Sequence, residues 1–189
     1  QGNITYLGSV LAVGRNYNCN IHVENLHASN NSTTNEAIIA LDETECQTMS
    51  FNQVTLDNNY GGHGKGLFYI YDVIGEIIFN KVSLLNQQSS DGSLGYGVQA
   101  SVEGGIGDFT ITNSTFYRVG GINHEYSSLA IENSTFFEVE SPIYTYPDNH
   151  ETVSISLSTF VNNTSQNRSG GIFISGVDLT LFGNVFAGN

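Results

Sequence analysis

Apolar residues return along this chain in one local figure: an apolar residue, a second two positions on, and a third five positions after that. Taking Ala28, Leu56, Leu84, Phe116, Phe136, Phe160 and Phe186 as anchors, the residue seven before is Ile21, Met49, Ile77, Phe109, Leu129, Val153 and Leu179 in turn. The residue five before is Val23, Phe51, Phe79, Ile111, Ile131, Ile155 and Leu181. All twenty-one positions are apolar in a chain that is 39% apolar overall. Apolar residues two apart share a face of a strand but lie on opposite sides of a helix, so the figure predicts strands. A self-similar period of twenty to thirty residues predicts a repeat architecture.

The anchors are 28, 28, 32, 20, 24 and 26 residues apart, which leaves room after each for a turn and a second β run. Those runs are Ala37-Ile38-Ile39-Ala40-Leu41, Leu67-Phe68-Tyr69-Ile70-Tyr71, Tyr96-Gly97-Val98-Gln99-Ala100, Gly120-Gly121-Ile122, Pro142-Ile143-Tyr144-Thr145-Tyr146 and Gly170-Gly171-Ile172-Phe173-Ile174. Each repeat is expected to be one coil of a parallel β-helix, its inward residues stacked on those of the next coil about 4.8 Å away. The fold class expected is therefore all-β, a parallel β-helix of about seven to eight coils. Residues 1–189 form a single domain in this reading, with 1–20 a partial first coil and 179–189 a partial last coil.

Gly170-Gly171-Ile172 with Phe160-Val161-Asn162-Asn163, Gly120-Gly121-Ile122 with Phe116, and the closing Phe186-Ala187-Gly188-Asn189 resemble the GGxI and FxxN repeats of right-handed parallel β-helix proteins of the polymorphic outer-membrane-protein type. The resemblance runs from about residue 21 onward. It implies a right-handed solenoid, as parallel crossovers also favour, and a surface or adhesive role. The family's membrane-barrel domain has no counterpart here.

End caps are the usual protection of terminal strands in such folds, and the sequence offers none. Leu7, Val10, Leu11 and Val13 read as a second run with no first run before it, and the chain stops three residues past its seventh anchor. If residue 1 of a second copy followed Asn189, the next anchor would fall 31 residues beyond Phe186, inside the range of 20 to 32 already present. The expected partner is therefore a second copy, stacked head to tail into an open filament. A longer covalent solenoid, with this stretch as one segment, fits the sequence equally well.

With 5 basic and 18 acidic residues and a net charge of −13, the chain lacks the basic stripe that nucleic-acid binding needs. No apolar run reaches the eighteen residues of a membrane span. Gln1 opens the chain without Met or a leader, which reads as a mature or excised portion. Only 12% of residues are charged, against about 25% in ordinary soluble domains; Asn, Ser, Thr and Gly take their place. Asn-x-Ser/Thr acceptors occur at Asn3, Asn30, Asn31, Asn113, Asn133, Asn162, Asn163 and Asn167, which predicts a secreted glycoprotein carrying covalent N-glycans. Asn30, Asn31, Asn162, Asn163 and Asn167 follow an anchor and share one corner of the solenoid. Asn113 and Asn133 lie three before theirs, where stacked asparagines also satisfy backbone groups. Cys19 and Cys46 fall at nearly the same place on consecutive coils, one strand spacing apart, so a disulfide between them is expected, with the oxidising compartment it implies.

Many β-helices cleave polysaccharides, and Gly62-His63-Gly64 is similar to the Gly-His-Gly segment of polygalacturonases. Such enzymes also need converging carboxylates and basic residues that hold the uronate. Near His63 stand only Asp57 and, further along, Asp72; no Asn-Thr-Asp, Asp-Asp or Arg-x-Lys occurs, and Arg15, Lys65, Lys81, Arg118 and Arg168 are scattered over the coils. Asp42-Glu43-x-Glu45 and Glu138-x-Glu140 lack the pattern of a calcium loop. His22, His27, His63, His124 and His150 lack zinc spacing. No metal, cofactor or catalytic residue is assigned. The leading expectation is a secreted, N-glycosylated structural fibre at the cell surface. An adhesin or glycan-binding module using Phe68-Tyr69-Ile70-Tyr71 and Tyr144-Thr145-Tyr146 comes second, and a polysaccharide hydrolase or lyase third.

Overall fold

The computed structural model describes residues 10–15, 17–33, 36–61, 65–87, 97–101, 108–146, 151–165 and 169–189. The regular elements among them are all strands: β1 (Leu11–Gly14), β2 (Tyr17–Glu24), β3 (His27–Ser29), β4 (Ile39–Asn52), β5 (Thr55–Asp57), β6 (Phe68–Asn80) and β7 (Ser83–Leu85). They continue with β8 (Val98–Ser101), β9 (Phe109–Thr112), β10 (Thr115–Tyr117), β11 (Gly120–Glu125), β12 (Leu129–Glu132) and β13 (Thr135–Phe137). The last are β14 (Glu140–Tyr146), β15 (Thr152–Ser156), β16 (Thr159–Val161), β17 (Ile172–Ile174), β18 (Asp178–Phe182) and β19 (Val185–Ala187). Every pairing is parallel, and the chain winds as a β-solenoid.

The short strands β3, β5, β7, β10, β13, β16 and β19 stack in chain order into a seven-stranded sheet. Its central column is the anchor series: Ala28 opposite Leu56, then Leu84, Phe116, Phe136, Phe160 and Phe186. The other twelve strands form the second sheet. There Ile21, Met49, Ile77, Phe109, Leu129, Val153 and Leu179 pair one to the next, and Val23, Phe51, Phe79, Ile111, Ile131, Ile155 and Leu181 run beside them in the same register. A third inward column continues Leu11, Ile39, Phe68, Val98, Ile122, Ile143 and Ile172. These columns meet in one hydrophobic core that runs along the axis. Phe116, Phe136, Phe160 and Phe186 stack face to face at centroid distances of 4.6, 4.7 and 4.8 Å, the strand spacing itself.

Two corners fold each turn around the three-residue strand. The residue three before every anchor (Asn25, Gln53, Lys81, Asn113, Asn133, Leu157, Gly183) and the residue two after it (Asn30, Asn58, Asn86, Arg118, Glu138, Asn162, Gly188) all adopt φ between 48° and 66°. Left-handed backbone is costly for most side chains, and Asn tolerates it best after Gly. That is why half of these fourteen corners are Asn. Leu157 is the exception, a branched apolar side chain 53% exposed at φ 50°. Leu157→Gly is expected to raise stability by about 1 kcal/mol, read as a higher denaturation midpoint in urea; an unchanged or lower midpoint would contradict the strain argument.

Inside the corners, side chains replace ladder bonds that the turns cannot make. Ser114, Ser134 and Ser158, two before their anchors, each accept from the backbone N–H of the turn before and donate to the carbonyl two residues earlier in their own chain. Three after the anchors, the side-chain oxygens of Asn59, Asn163 and Asn189 accept from Asn31, Val139 and Asn163 N–H. The glycines that open the second runs answer to close packing: a Cβ on Gly97 or Gly121 would run into the Gly120 or Ser141 carbonyl oxygen of the next turn. Cys19 and Cys46 are bonded, with Cα atoms 4.5 Å apart, and tie β2 to β4 across a separation of 27 residues. A loop of that size gives a chain-entropy contribution of about 3.5 kcal/mol.

Candidate functional site

The acceptor asparagines, alike in their sequence pattern, separate into two structural classes. Asn30, Asn113, Asn133 and Asn162 are exposed left-handed corners. The first three bond one another or asparagines of adjacent turns: Asn58 Nδ2 donates to Asn30 Oδ1 at 2.6 Å, Asn113 to Asn80 Oδ1 at 3.0 Å, and Asn133 to Asn113 Oδ1 at 2.8 Å. Asn163, in contrast, is 1% exposed. Its Nδ2 donates to the Phe136 carbonyl at 3.1 Å and to Asn189 Oδ1 at 3.0 Å, and its Oδ1 accepts from Val139 N–H at 2.8 Å. Asn163 is thus an interior residue of its corner, bonded to the turns on both sides. Asn31, the same distance past its anchor, is half-buried on the first turn. Asn3 and Asn167 lie outside the described residues.

The architecture accounts for Asn-Ser-Thr-Phe, which occurs twice. In Asn113-Ser114-Thr115 and Asn133-Ser134-Thr135 the Asn bends the chain, the Ser fills the inner ladder and the β-branched Thr opens the strand. At these two corners the acceptor spacing and the requirements of the fold coincide.

A second feature is the last turn. Leu179, Leu181, Phe182, Val185 and Phe186 are 45–68% exposed, although Val153, Ile155 and Phe160 one turn earlier are buried completely or nearly so. Leu179, Leu181 and Phe186 line an open groove of about 450 Å³ together with Ile172 and Ile174. From Ser169 to Asn189 the sole charged side chain is Asp178, and no proline occurs.

Of the two aromatic runs, the first puts tyrosines on the outer surface of the larger sheet, whereas Tyr144 and Thr145 of the second are buried. Phe68 and Ile70 point inward and are fully buried, while Tyr69 and Tyr71 point outward with rings stacked 5.8 Å apart. Lys65 Nζ sits 4.5 Å above the Tyr69 ring and 2.8 Å from Glu36. Burial holds the Tyr69 hydroxyl above its usual range and also raises the Asp42 carboxyl beside it. Tyr144 stacks on Phe173 at 5.3 Å. Arg15 pairs with Glu43 and Arg118 with Glu138, each across adjacent turns.

His63 with its two glycines lies outside the described residues. Among those described, no three His, Cys, Asp or Glu side chains are placed to hold a metal ion, and no helix is long and apolar enough to cross a membrane. Sequence reasoning misses His124, which is fully buried between Ser127 Oγ (2.8 Å from Nε2) and Thr145 Oγ1 (3.2 Å from Nδ1). Its signal is the two-residue alternation with inward Ile122. No family model, curated protein or solved structure matches this chain, so the likeness to polymorphic outer-membrane-protein repeats rests on the GGxI and FxxN spacing alone.

Proposed function

We propose that this chain is a secreted, N-glycosylated structural solenoid, a single elongated domain whose copies stack head to tail into an extracellular filament or surface fibre. The register of the repeat carries this reading: the apolar columns of β17, β18 and β19 continue in step with those of β1, β2 and β3. The first described turn has the matching outline. Continuing the observed registers sets Leu11 and Val13 of a second copy against Ile172 and Ile174, Ile21 and Val23 against Leu179 and Leu181, and Ala28 against Phe186. No like charges oppose one another there, since Asp178 meets Asn20. The disulfide supports an oxidising compartment, and the exposed corners Asn30, Asn113, Asn133 and Asn162 leave the sides of the fibre available for a glycan coat.

Electron microscopy and sedimentation of the secreted protein test this. The expected result is filaments with an axial repeat of about 34 Å, seven strand spacings of about 4.8 Å. The double variant Leu179→Lys/Leu181→Lys, altered at side chains already exposed in the single chain, is expected to keep its β circular dichroism and sediment as a monomer. Wild-type protein that remains monomeric at high concentration would overturn the filament. A second reading, a glycan-binding surface, then gains from the stacked Tyr69 and Tyr71 under Lys65, since flat aromatic faces with neighbouring carboxylates suit sugar rings.

A further inference from the structure

Alternation along β4 and β6 sends Ile39, Leu41, Phe68 and Ile70 into the core. Asp42, Tyr69 and Tyr71 therefore face outward from adjacent turns, with Asp42 directly opposite Tyr71 in the parallel register. We propose that this flank of the solenoid binds a protonated amino sugar, its C–H face on the Tyr71 ring and its ammonium on the Asp42 carboxylate. The proposal rests on the glycan-binding reading and specifies the charge and class of the sugar.

The charges here decide the sign of the ligand. Lys65 Nζ lies 2.8 Å from Glu36 and Arg15 Nε lies 2.8 Å from Glu43, so each cation is matched by a carboxylate of its own. The Asp42 carboxylate, within electrostatic reach of all four, makes no hydrogen bond or ion pair among the described residues. Two cations and three carboxylates leave one negative charge, and it sits on Asp42. Burial first and Glu43 next hold that carboxyl above its usual range. An incoming ammonium offsets both effects. A uronic acid would instead bring a second carboxylate to Asp42 while Lys65 and Arg15 are already engaged.

The tyrosines show what their ring faces accept. Lys65 Nζ stands 4.5 Å above the Tyr69 ring, inside the range over which an aromatic face attracts a cation. Tyr71 runs parallel to Tyr69, with 5.8 Å between centroids and 7° between planes, and is 43% exposed. Among the described residues no cation of the chain lies over Tyr71. A pyranose ring bearing an amine offers this pair what it lacks: an apolar C–H face for the Tyr71 ring and a charged N–H donor for the Asp42 carboxylate.

Calorimetric titration with a glucosamine tetramer and with its N-acetylated counterpart tests this, at a pH where the amine is protonated and Asp42 ionised. The free tetramer is expected to bind about tenfold more tightly than the acetylated one, the combined worth of an exposed ion pair and a cation over a ring. Asp42→Asn, which removes only the charge at an exposed position, is expected to abolish that preference. Lys65→Ala is expected to tighten binding of the free tetramer about threefold, because it uncovers the Tyr69 ring and leaves Glu36 unmatched. Weaker binding by that variant, with its β circular dichroism unchanged, would overturn a cationic ligand. Equal affinity for the two tetramers would overturn recognition of the amine and leave the glycan-binding surface standing. Binding of neither would overturn the glycan-binding reading, and the amino-sugar site with it.

Discussion

Phe136→Ala is expected to destabilise the protein by about 4 kcal/mol, the upper part of the range for emptying a buried aromatic site. Phe136 is fully buried, with Phe116 stacked on one side at 4.6 Å and Phe160 on the other at 4.7 Å. Its strand is pinned on both sides by the parallel ladder, so neighbouring rings cannot move in to fill the space. In a solenoid each turn contacts only its neighbours, and loss of one ring weakens two interfaces at once. Urea unfolding followed by far-ultraviolet circular dichroism measures the effect; tyrosine emission is a second probe, since the chain has no Trp. Phe186→Ala is the comparison, because that ring stacks on one face only and is 46% exposed. In dilute monomer it should cost less than half as much, and in stacked protein the two costs should converge as Phe186 becomes interior. Equal costs in the monomer would mean that the aromatic column is not what holds adjacent turns together.

The anchor column is legible in the spacing of apolar residues alone, because one short strand per turn forces each anchor onto the next. Ala28 through Phe186, and both flanking columns, pair in the register that spacing predicts. Periodicity reports which residues face inward on strands, where alternation is strict. It is silent at the corners, where one step in sequence turns a side chain from water to core. Asn162 and Asn163 are adjacent and both fit an acceptor pattern, yet one is an exposed corner and the other bonds the Phe136 carbonyl inside the solenoid. His124 is missed for another reason: it holds an inward strand position between Ala100 and Thr145, in step with Ile122, but a polar side chain does not register in an apolar period. The Cys19–Cys46 pair is legible because both cysteines sit at matched places on neighbouring coils.

His124 should make the fold acid-sensitive. Burial alone pushes its pKa down from 6.5 to about 4: the ring is fully enclosed, lies 6.0 Å from the Phe109 ring, and bonds the hydroxyls of Ser127 and Thr145. Those hydroxyls can serve a neutral or a charged imidazole, so the penalty on the proton is loss of hydration rather than loss of a partner. In the unfolded chain the same ring protonates near pH 6.5. The unfolded state therefore binds the extra proton first as pH falls, and stability is lost through the window from 6.5 down to about 4. At about 1.4 kcal/mol per pH unit, the loss is about 2 kcal/mol between pH 7 and pH 5 and about 3 kcal/mol by pH 4. His124→Gln, which keeps one donor and one acceptor for the two hydroxyls, should flatten this part of the profile. Every carboxylate is common to both proteins, including Asp42 with its raised pKa, so the difference between their urea midpoints across pH isolates the one histidine. Parallel profiles between pH 7 and pH 4 would show that the ring is hydrated or protonated inside the folded solenoid.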